Sequence, residues 1–228
     1  MKNKSQEISV RRQNGFFKRL ADIAVALPLS LLFAPLSVAL TVLILVRDPG
    51  NPFYCQRRVG RDGRALTVLK FRTMKQSSDD VERVLSAEQL AIYRREYKLT
   101  DDPRLIGYRR SGDGRRCFGA ILRRTSMDEL PQLWWNVLLC GNMSLVGPRP
   151  ILKEELKQHY TTEQQEALLS VKPGLTGYWQ AYARTAACYE TGERQRMELF
   201  YVENRSFWLD LKILFRTVLA VITKAGAK

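Results

Sequence analysis

Residues 23–46, Ile-Ala-Val-Ala-Leu-Pro-Leu-Ser-Leu-Leu-Phe-Ala-Pro-Leu-Ser-Val-Ala-Leu-Thr-Val-Leu-Ile-Leu-Val, hold no charged side chain over 24 positions. The run is too long for the apolar core of a secretory signal and lacks a small-residue cleavage site, so it is read as part of the working chain. About 20 such residues suffice to cross a hydrocarbon core of about 30 Å, so the default is a membrane helix. Two features argue against a simple span. Pro35 divides the run into pieces of about a dozen residues, each roughly 18 Å long at about 1.5 Å per residue, and Pro28 falls in the first of them. Basic residues also crowd both flanks: Lys2, Lys4, Arg11, Arg12, Lys18 and Arg19 before, and Arg47, Arg57, Arg58, Arg61 and Arg64 after. A spanning helix shows its positive charge on one side. The pattern therefore predicts a basic amphipathic segment over 1–19 and a re-entrant helix-break-helix over 20–47 that turns at Pro35 and leaves on the side it entered. A proline-kinked spanning helix is the competing reading.

Beyond the run the periodicity changes. Asp48-Pro-Gly-Asn-Pro52 is turn chemistry, and 53–74 read as short strands joined by Gly60-Arg-Asp-Gly63, a small hairpin. Lys70 and Arg72 occupy alternate positions of an extended segment and so share a face. Residues 75–99 predict a solvated amphipathic helix, and 101–116, rich in Gly and Arg, an exposed loop. Leu130 to Leu139 places Trp134 and Trp135 among leucines, as burial or a membrane interface requires. Residues 206–224 set Phe207, Trp208, Leu211, Phe215, Val218 and Leu219 among Asp210, Lys212, Arg216 and Lys224, a helix with one apolar side.

The 228 residues carry a formal charge of +14, which points to an anionic partner. Nucleic acid is disfavoured, because the aromatics lie in apolar segments rather than interleaved with the basic ones. Cys55, Cys117, Cys140 and Cys188 are scattered, without a C-x-x-C pair, and read as reduced structural thiols. The single histidine, His159, reads as a packing or surface residue.

The densest chemistry is at 123–132, Arg-Arg-Thr-Ser-Met-Asp-Glu-Leu-Pro-Gln. Pro131 is tolerated only in a helix's first turn, which puts the N-cap at Met127 or Asp128 and the Asp128 carboxylate at the positive end of the dipole. Arg123 and Arg124 are placed to gather anionic oxygens. Asp128 suits a nucleophile or a metal ligand. The bland alternative is a capping box, Ser126-x-x-Glu129. In Gly147-Pro148-Arg149-Pro150 the prolines hold Arg149 extended, with little backbone entropy left to lose on capturing a phosphate. Pro173-Gly-Leu-Thr-Gly-Tyr-Trp-Gln180 is a glycine-bracketed turn, suited to cradling a nucleotide or to a structural loop.

Taken in order, Pro-Phe-Tyr-x-Gln-Arg-Arg-Val-Gly, Lys-Phe-Arg-Thr-Met, Arg-Arg-Thr-Ser-Met-Asp-Glu-Leu-Pro-Gln, Met-Ser-Leu-Val-Gly-Pro-Arg-Pro, Pro-Gly-Leu-Thr-Gly and Leu-Asp-Leu-Lys-Ile-Leu resemble the bacterial sugar transferases, the monotopic phosphoglycosyl transferases, from about Phe17 to Val221. The resemblance implies an α+β, predominantly helical protein of the bacterial inner membrane, with a cytosolic catalytic domain over 48–228 ending in a membrane-interface helix. It implies transfer of a hexose 1-phosphate from a UDP-sugar to undecaprenyl phosphate with release of UMP. Asp128 then matches the nucleophile and Glu129 the Mg²⁺ ligand. Lys70, Arg123, Arg149 and Arg184 match cationic phosphate-gripping positions, and Asp210 a supporting acid. The apolar residues near the carboxyl terminus suit a homodimer in the membrane plane. Departures are Ala34-Pro35, where the family often has Ser-Pro, and extra length around Trp134-Trp135 and 112–116. The amino-terminal membrane domain of larger relatives is not seen, so the sequence is read as a minimal catalytic form or a truncation. A non-catalytic basic membrane tether, and a hydrolase using water in place of the lipid, are the alternatives.

Overall fold

The computed structural model describes residues 4–78, 81–96, 99, 101–109, 116–183 and 191–222. Arg184, Cys188 and residues 110–115 of the Gly- and Arg-rich stretch lie outside them. Helix α1 runs over Lys4–Arg47 and is assigned without interruption through Pro28 and Pro35. The break predicted at Pro35 is therefore not a gap in helical structure. A proline removes one N–H and crowds the preceding turn, but ending the helix would orphan several backbone groups at once, which is costlier in an apolar setting.

The chain packs as two compact units, and the division falls inside α1, between Phe33 and Ala34, next to Pro35. One unit takes the chain up to Phe33, then 56–68 and the described residues from Gln132 onward; the other takes 34–55 and 69–131. Strands β1 (Phe53–Val59) and β2 (Ala65–Phe71) pair as a two-stranded sheet across a one-turn 3₁₀ helix, the hairpin predicted there.

In the first unit, β3 (Ser144–Val146) and β4 (Gly174–Thr176) pair in parallel, Ser144 opposite Gly174 and Val146 opposite Thr176. Parallel strands need a crossover, supplied by α6 (Lys153–His159) and α7 (Thr162–Leu169). Helices α8 (Tyr178–Tyr182), α9 (Glu193–Asn204) and α10 (Phe207–Ile222) complete it. The core gathers Ala26, Leu66, Val68, Leu133, Val137, Met143, Leu145, Val146, Tyr201 and Ile213. Ala26 belongs to α1, so the amino-terminal half of the apolar helix is docked on protein along one stripe. Polar contacts fix that stripe. Asp22 Oδ1 accepts from the Ser144 hydroxyl (2.9 Å) and the Leu145 N–H (3.0 Å), and Lys18 donates to Asp210 Oδ2 (2.7 Å). Arg19 donates to the Val137 and Leu138 carbonyls in the last turn of a π-helical segment Leu133–Leu139, where a cation meets the negative end of the helix dipole. The opposite side of α1, with Val25, Leu27, Leu31 and Leu32, is exposed.

The second unit repeats the arrangement with the other half of α1: Leu40 and Ile44 bury against Phe71, Ile106 and Leu122, while Val38, Val42, Leu45 and Val46 stay exposed. Asp48, one residue beyond α1, accepts from Arg72 and from the Gln76 N–H (3.0 Å). Two predictions are corrected here. The segment 75–99 is not one helix but a 3₁₀ turn, α2 (Val81–Val84) and α3 (Ala87–Glu96), because Ser86 and Gln89 form a reciprocal cap that starts a new helix. The stretch after Asp101 is not wholly an exposed loop: Asp102, Arg104, Leu105 and Ile106 are buried. Arg104 donates from Nε and Nη2 to both oxygens of Asp102 (2.9 and 2.8 Å) and lies 4.4 Å from the Tyr93 ring centroid, so its charge is buried already paired.

Candidate active site

The site of the second unit begins with β2, where alternation along Ala65–Phe71 buries Leu69 and Phe71 and leaves Lys70 half-exposed on the other face. Arg72 does not share the role the alternation predicts for it. Its guanidinium is spent on Asp48 and on the carbonyls of Asp48 and Asn51, tying the end of α1 to the strand. Helix α4 (Phe118–Arg124) then comes unusually close to the strand end. Gly119 makes the approach feasible: a Cβ there would collide with the Thr73 carbonyl and reach 3.0 Å from the Ile106 nitrogen. Four residues along α4, Arg123 Nε donates to Thr73 Oγ1 (2.8 Å), so the close approach aims the arginine.

After α4 the chain reverses through Ser126, a non-glycine residue in the left-handed region (φ 57°, ψ 18°), a conformation that costs about 1 kcal/mol or more and collects at functional sites. The helical run restarts as a 3₁₀ turn, Met127–Glu129, continues as α5 (Leu130–Gln132) and widens into the π-helical segment. The N-cap is thus Ser126, one residue before the predicted position, and Pro131 stands five residues after the cap rather than in the first turn. Ser126 makes no side-chain cap hydrogen bond, so the capping box is not what orders this segment.

The outcome is a buried Asp128, 8% exposed, beside a half-exposed Glu129. Lys70 Nζ donates to Glu129 Oε1 at 2.7 Å. Burial pushes the Asp128 carboxyl up to about 6, the charge of Glu129 pushes the same way, and Lys70 and Arg123 pull it back. A carboxylate of that kind is ionised at neutral pH yet more basic, hence more nucleophilic, than an ordinary aspartate. Among the described residues no three His, Cys, Asp or Glu side chains cluster as a protein-only metal cage. Two adjacent carboxylates, one partly exposed, do fit Mg²⁺, which is commonly held by one or two carboxylates together with substrate phosphates.

The first unit carries Arg149 and Asp210. Arg149 follows β3 in a loop held from both sides: Gly147 N–H bonds the Thr176 carbonyl (2.9 Å), Gly174 N–H the Pro148 carbonyl (2.9 Å), and Arg149 N–H the Glu198 Oε2 (3.0 Å). Gly147 is required, since a Cβ there would lie 2.6 Å from the Gly174 nitrogen. The Arg149 guanidinium lies 5.6 Å from the Trp179 ring centroid, and Arg194 takes the same ring at 4.4 Å. Asp210 is engaged by Lys18 and by the Tyr201 hydroxyl (2.7 Å), so it anchors α1 to α9 and α10. Arg184 lies outside the described residues. Sequence reading brought forward neither Glu198, Arg194 and Trp179 as a group nor Asp22. The available signal was the i, i+4 pairing of Arg194 with Glu198 on a helix otherwise polar enough to pass as solvated.

A family model described as bacterial sugar transferase matches residues 13–224. The chain is 40% identical over 220 residues to a UDP-galactose-lipid carrier transferase of Erwinia amylovora, and 37% identical over 220 residues to an undecaprenyl-phosphate galactose phosphotransferase of Salmonella typhimurium. Each alignment covers 95% of this chain and 43% of the relative, so the chain spans less than half the length of either. It is 36% identical over 222 residues to the exopolysaccharide production protein ExoY of Rhizobium meliloti, covering 96% of this chain and 91% of that one.

Proposed function

The chain belongs to the bacterial sugar transferase family, and on that premise we propose that it moves a hexose 1-phosphate from a UDP-sugar to undecaprenyl phosphate, releasing UMP. This is the initiating step of exopolysaccharide, capsule or O-antigen assembly. The observation that carries the reading is the buried Asp128, raised to about 6 and flanked by Lys70–Glu129 and Arg123. An Asp128 oxygen attacks the sugar-bearing phosphorus of the donor. The bond from that phosphorus to the bridging oxygen breaks, UMP leaves with the electron pair, and a phosphosugar-aspartyl ester remains. A phosphate oxygen of the lipid then attacks the same phosphorus and returns the Asp128 carboxylate, so no net proton or redox equivalent is consumed. Lys70 and Arg123 oppose the phosphate charge around the attack, with Arg123 held in place by Thr73. Glu129 would hold Mg²⁺, which when bound neutralises the diphosphate as UMP departs.

The acceptor's long polyprenyl chain requires a site at headgroup level. The exposed apolar sides of α1 and α10, the latter with Phe207, Trp208, Leu211, Phe215, Val218 and Leu219, suit burial in the cytoplasmic leaflet of the inner membrane. The test is UMP release from a panel of UDP-sugars by detergent-purified protein with Mg²⁺, with and without undecaprenyl phosphate, for wild type and Asp128→Asn. Lipid-dependent release that the substitution abolishes is expected. Undiminished release in the variant removes Asp128 as nucleophile, and free sugar phosphate without glycolipid makes the protein a hydrolase.

A further inference from the structure

Glu198 is the most deeply buried acid among the described residues, 2% exposed, and nothing in the reaction above uses it. It sits on α9, one helical turn beyond Arg194. Its Oε2 accepts the Arg149 N–H, while its Oε1 accepts no hydrogen bond among the described residues. A buried carboxylate oxygen without a donor is costly and is rarely retained for stability alone. Two guanidinium groups that act on the acid electrostatically share one indole: Arg194 at 4.4 Å and Arg149 at 5.6 Å from the Trp179 centroid. Gly147 and Pro148 are held by the β3–β4 ladder and by Gly174 N–H on the Pro148 carbonyl, while the Arg149 amide is held by Glu198 of α9.

We propose that Glu198 is a positioning residue for Arg149: its carboxylate fixes the Arg149 backbone and balances the paired guanidinium charges, so that Arg149 is presented in one orientation to substrate phosphate. The proposal rests on the transferase reading and on the phosphate-gripping role that the family resemblance implies for Arg149. It accounts for a buried acid that is a burden to the fold, since burial pushes the Glu198 carboxyl up to about 7 against the opposing pull of Arg149 and Arg194, the charged groups facing it from the β3 loop and from α9. The folded state thus holds the Glu198 proton more tightly than the unfolded chain, and ionised Glu198 destabilises the protein as pH rises from about 4.5 to about 7.

Glu198→Gln keeps an acceptor for the Arg149 amide and removes the charge. In the full-length protein in detergent it should melt several degrees above wild type at pH 8, with most of the gain gone at pH 5. The same variant should lose about tenfold in kcat/KM for UDP-sugar at pH 8. In an Arg149→Lys background, which already lacks the planar fork, adding Glu198→Gln should cost little more, because residues that act through one another are not additive. A variant less stable than wild type at pH 8 makes Glu198 a structural residue and overturns the proposal, as do wild-type kinetics in the single variant or full additivity in the double one. Wild-type protein that shows no lipid-dependent UMP release removes the transferase reading itself, a result separate from any of these.

Discussion

As the proposed nucleophile, Asp128 faces two demands that conflict. A nucleophile gains from a raised pKa, but a buried acid whose pKa rises from 3.8 to about 6 on folding makes the ionised form costly to the fold. The folded state binds this proton more tightly than the unfolded chain, so the contribution of Asp128 to stability is most favourable below about pH 4 and is lost as pH rises from about 4 to about 6. At about 1.4 kcal/mol per unit the loss by pH 8 is on the order of 2–3 kcal/mol. Asp128→Asn should therefore be inactive and yet melt several degrees higher at pH 8, an advantage that shrinks below pH 6; calorimetry of the two proteins across pH 4–8 checks it. For catalysis the sign is opposite: the wild-type rate should fall on the acid side with a midpoint near 6. Lys70 lowers the Asp128 carboxyl and also holds Glu129 at 2.7 Å. Lys70→Met should then move that acid limb to higher pH as well as reduce kcat, and a pH–rate profile separates this from a simple loss of affinity. At this scale the sequence was informative where neighbours in the chain are neighbours in chemistry. The adjacency of Asp128 and Glu129 and the strand position of Lys70 were legible. Glu198 was not, because its environment is assembled from β3, α8 and α9, and no local pattern encodes a burial produced by three distant segments.

The elements set the aim of these residues. Along α4 the controlling feature is Gly119, whose missing side chain lets the helix approach the Thr73 carbonyl and so lets Arg123 reach the Thr73 hydroxyl. Gly119→Ala should force the helix outward. The helix propensity gained, about 1 kcal/mol, works against the steric cost, so stability should change modestly while kcat falls by an order of magnitude or more. Unchanged kcat would mean that Arg123 does not depend on this approach. Periodicity foretold an apolar helix over 23–46, though not its continuity through Pro35, and the β1–β2 hairpin and the helix at 206–224, because each shows its character in its own residues. It failed at α2 and α3, where the Ser86–Gln89 cap outweighs a continuous polar pattern, and around Asp102, where a charge-rich stretch is buried by self-pairing with Arg104.

For the whole molecule the question is what α1 does in a bilayer. At one end of its apolar run, Lys18, Arg19 and Asp22 hold Val137, Leu138, Ser144, Leu145 and Asp210; at the other, Asp48 holds Arg72 and Gln76. A spanning helix would put a bilayer between these two sets of partners, and the chain from Gln76 to Val137 would have to cross it again. Among the described residues Gly15–Arg47 is the one helix long and apolar enough for a crossing. Both ends of the helix should therefore face the same compartment, with Pro35, beside the boundary at Phe33, as the place where it bends. The prediction is checked with Gly15→Cys in a chain freed of its own cysteines, and with the exposed Cys55 retained alone in a second chain. A membrane-impermeant maleimide should label both in inverted inner-membrane vesicles and neither in intact spheroplasts. Labelling of Gly15→Cys from outside and Cys55 from inside would establish a span, and would require the contacts of Lys18, Arg19 and Asp22 to be absent in the membrane.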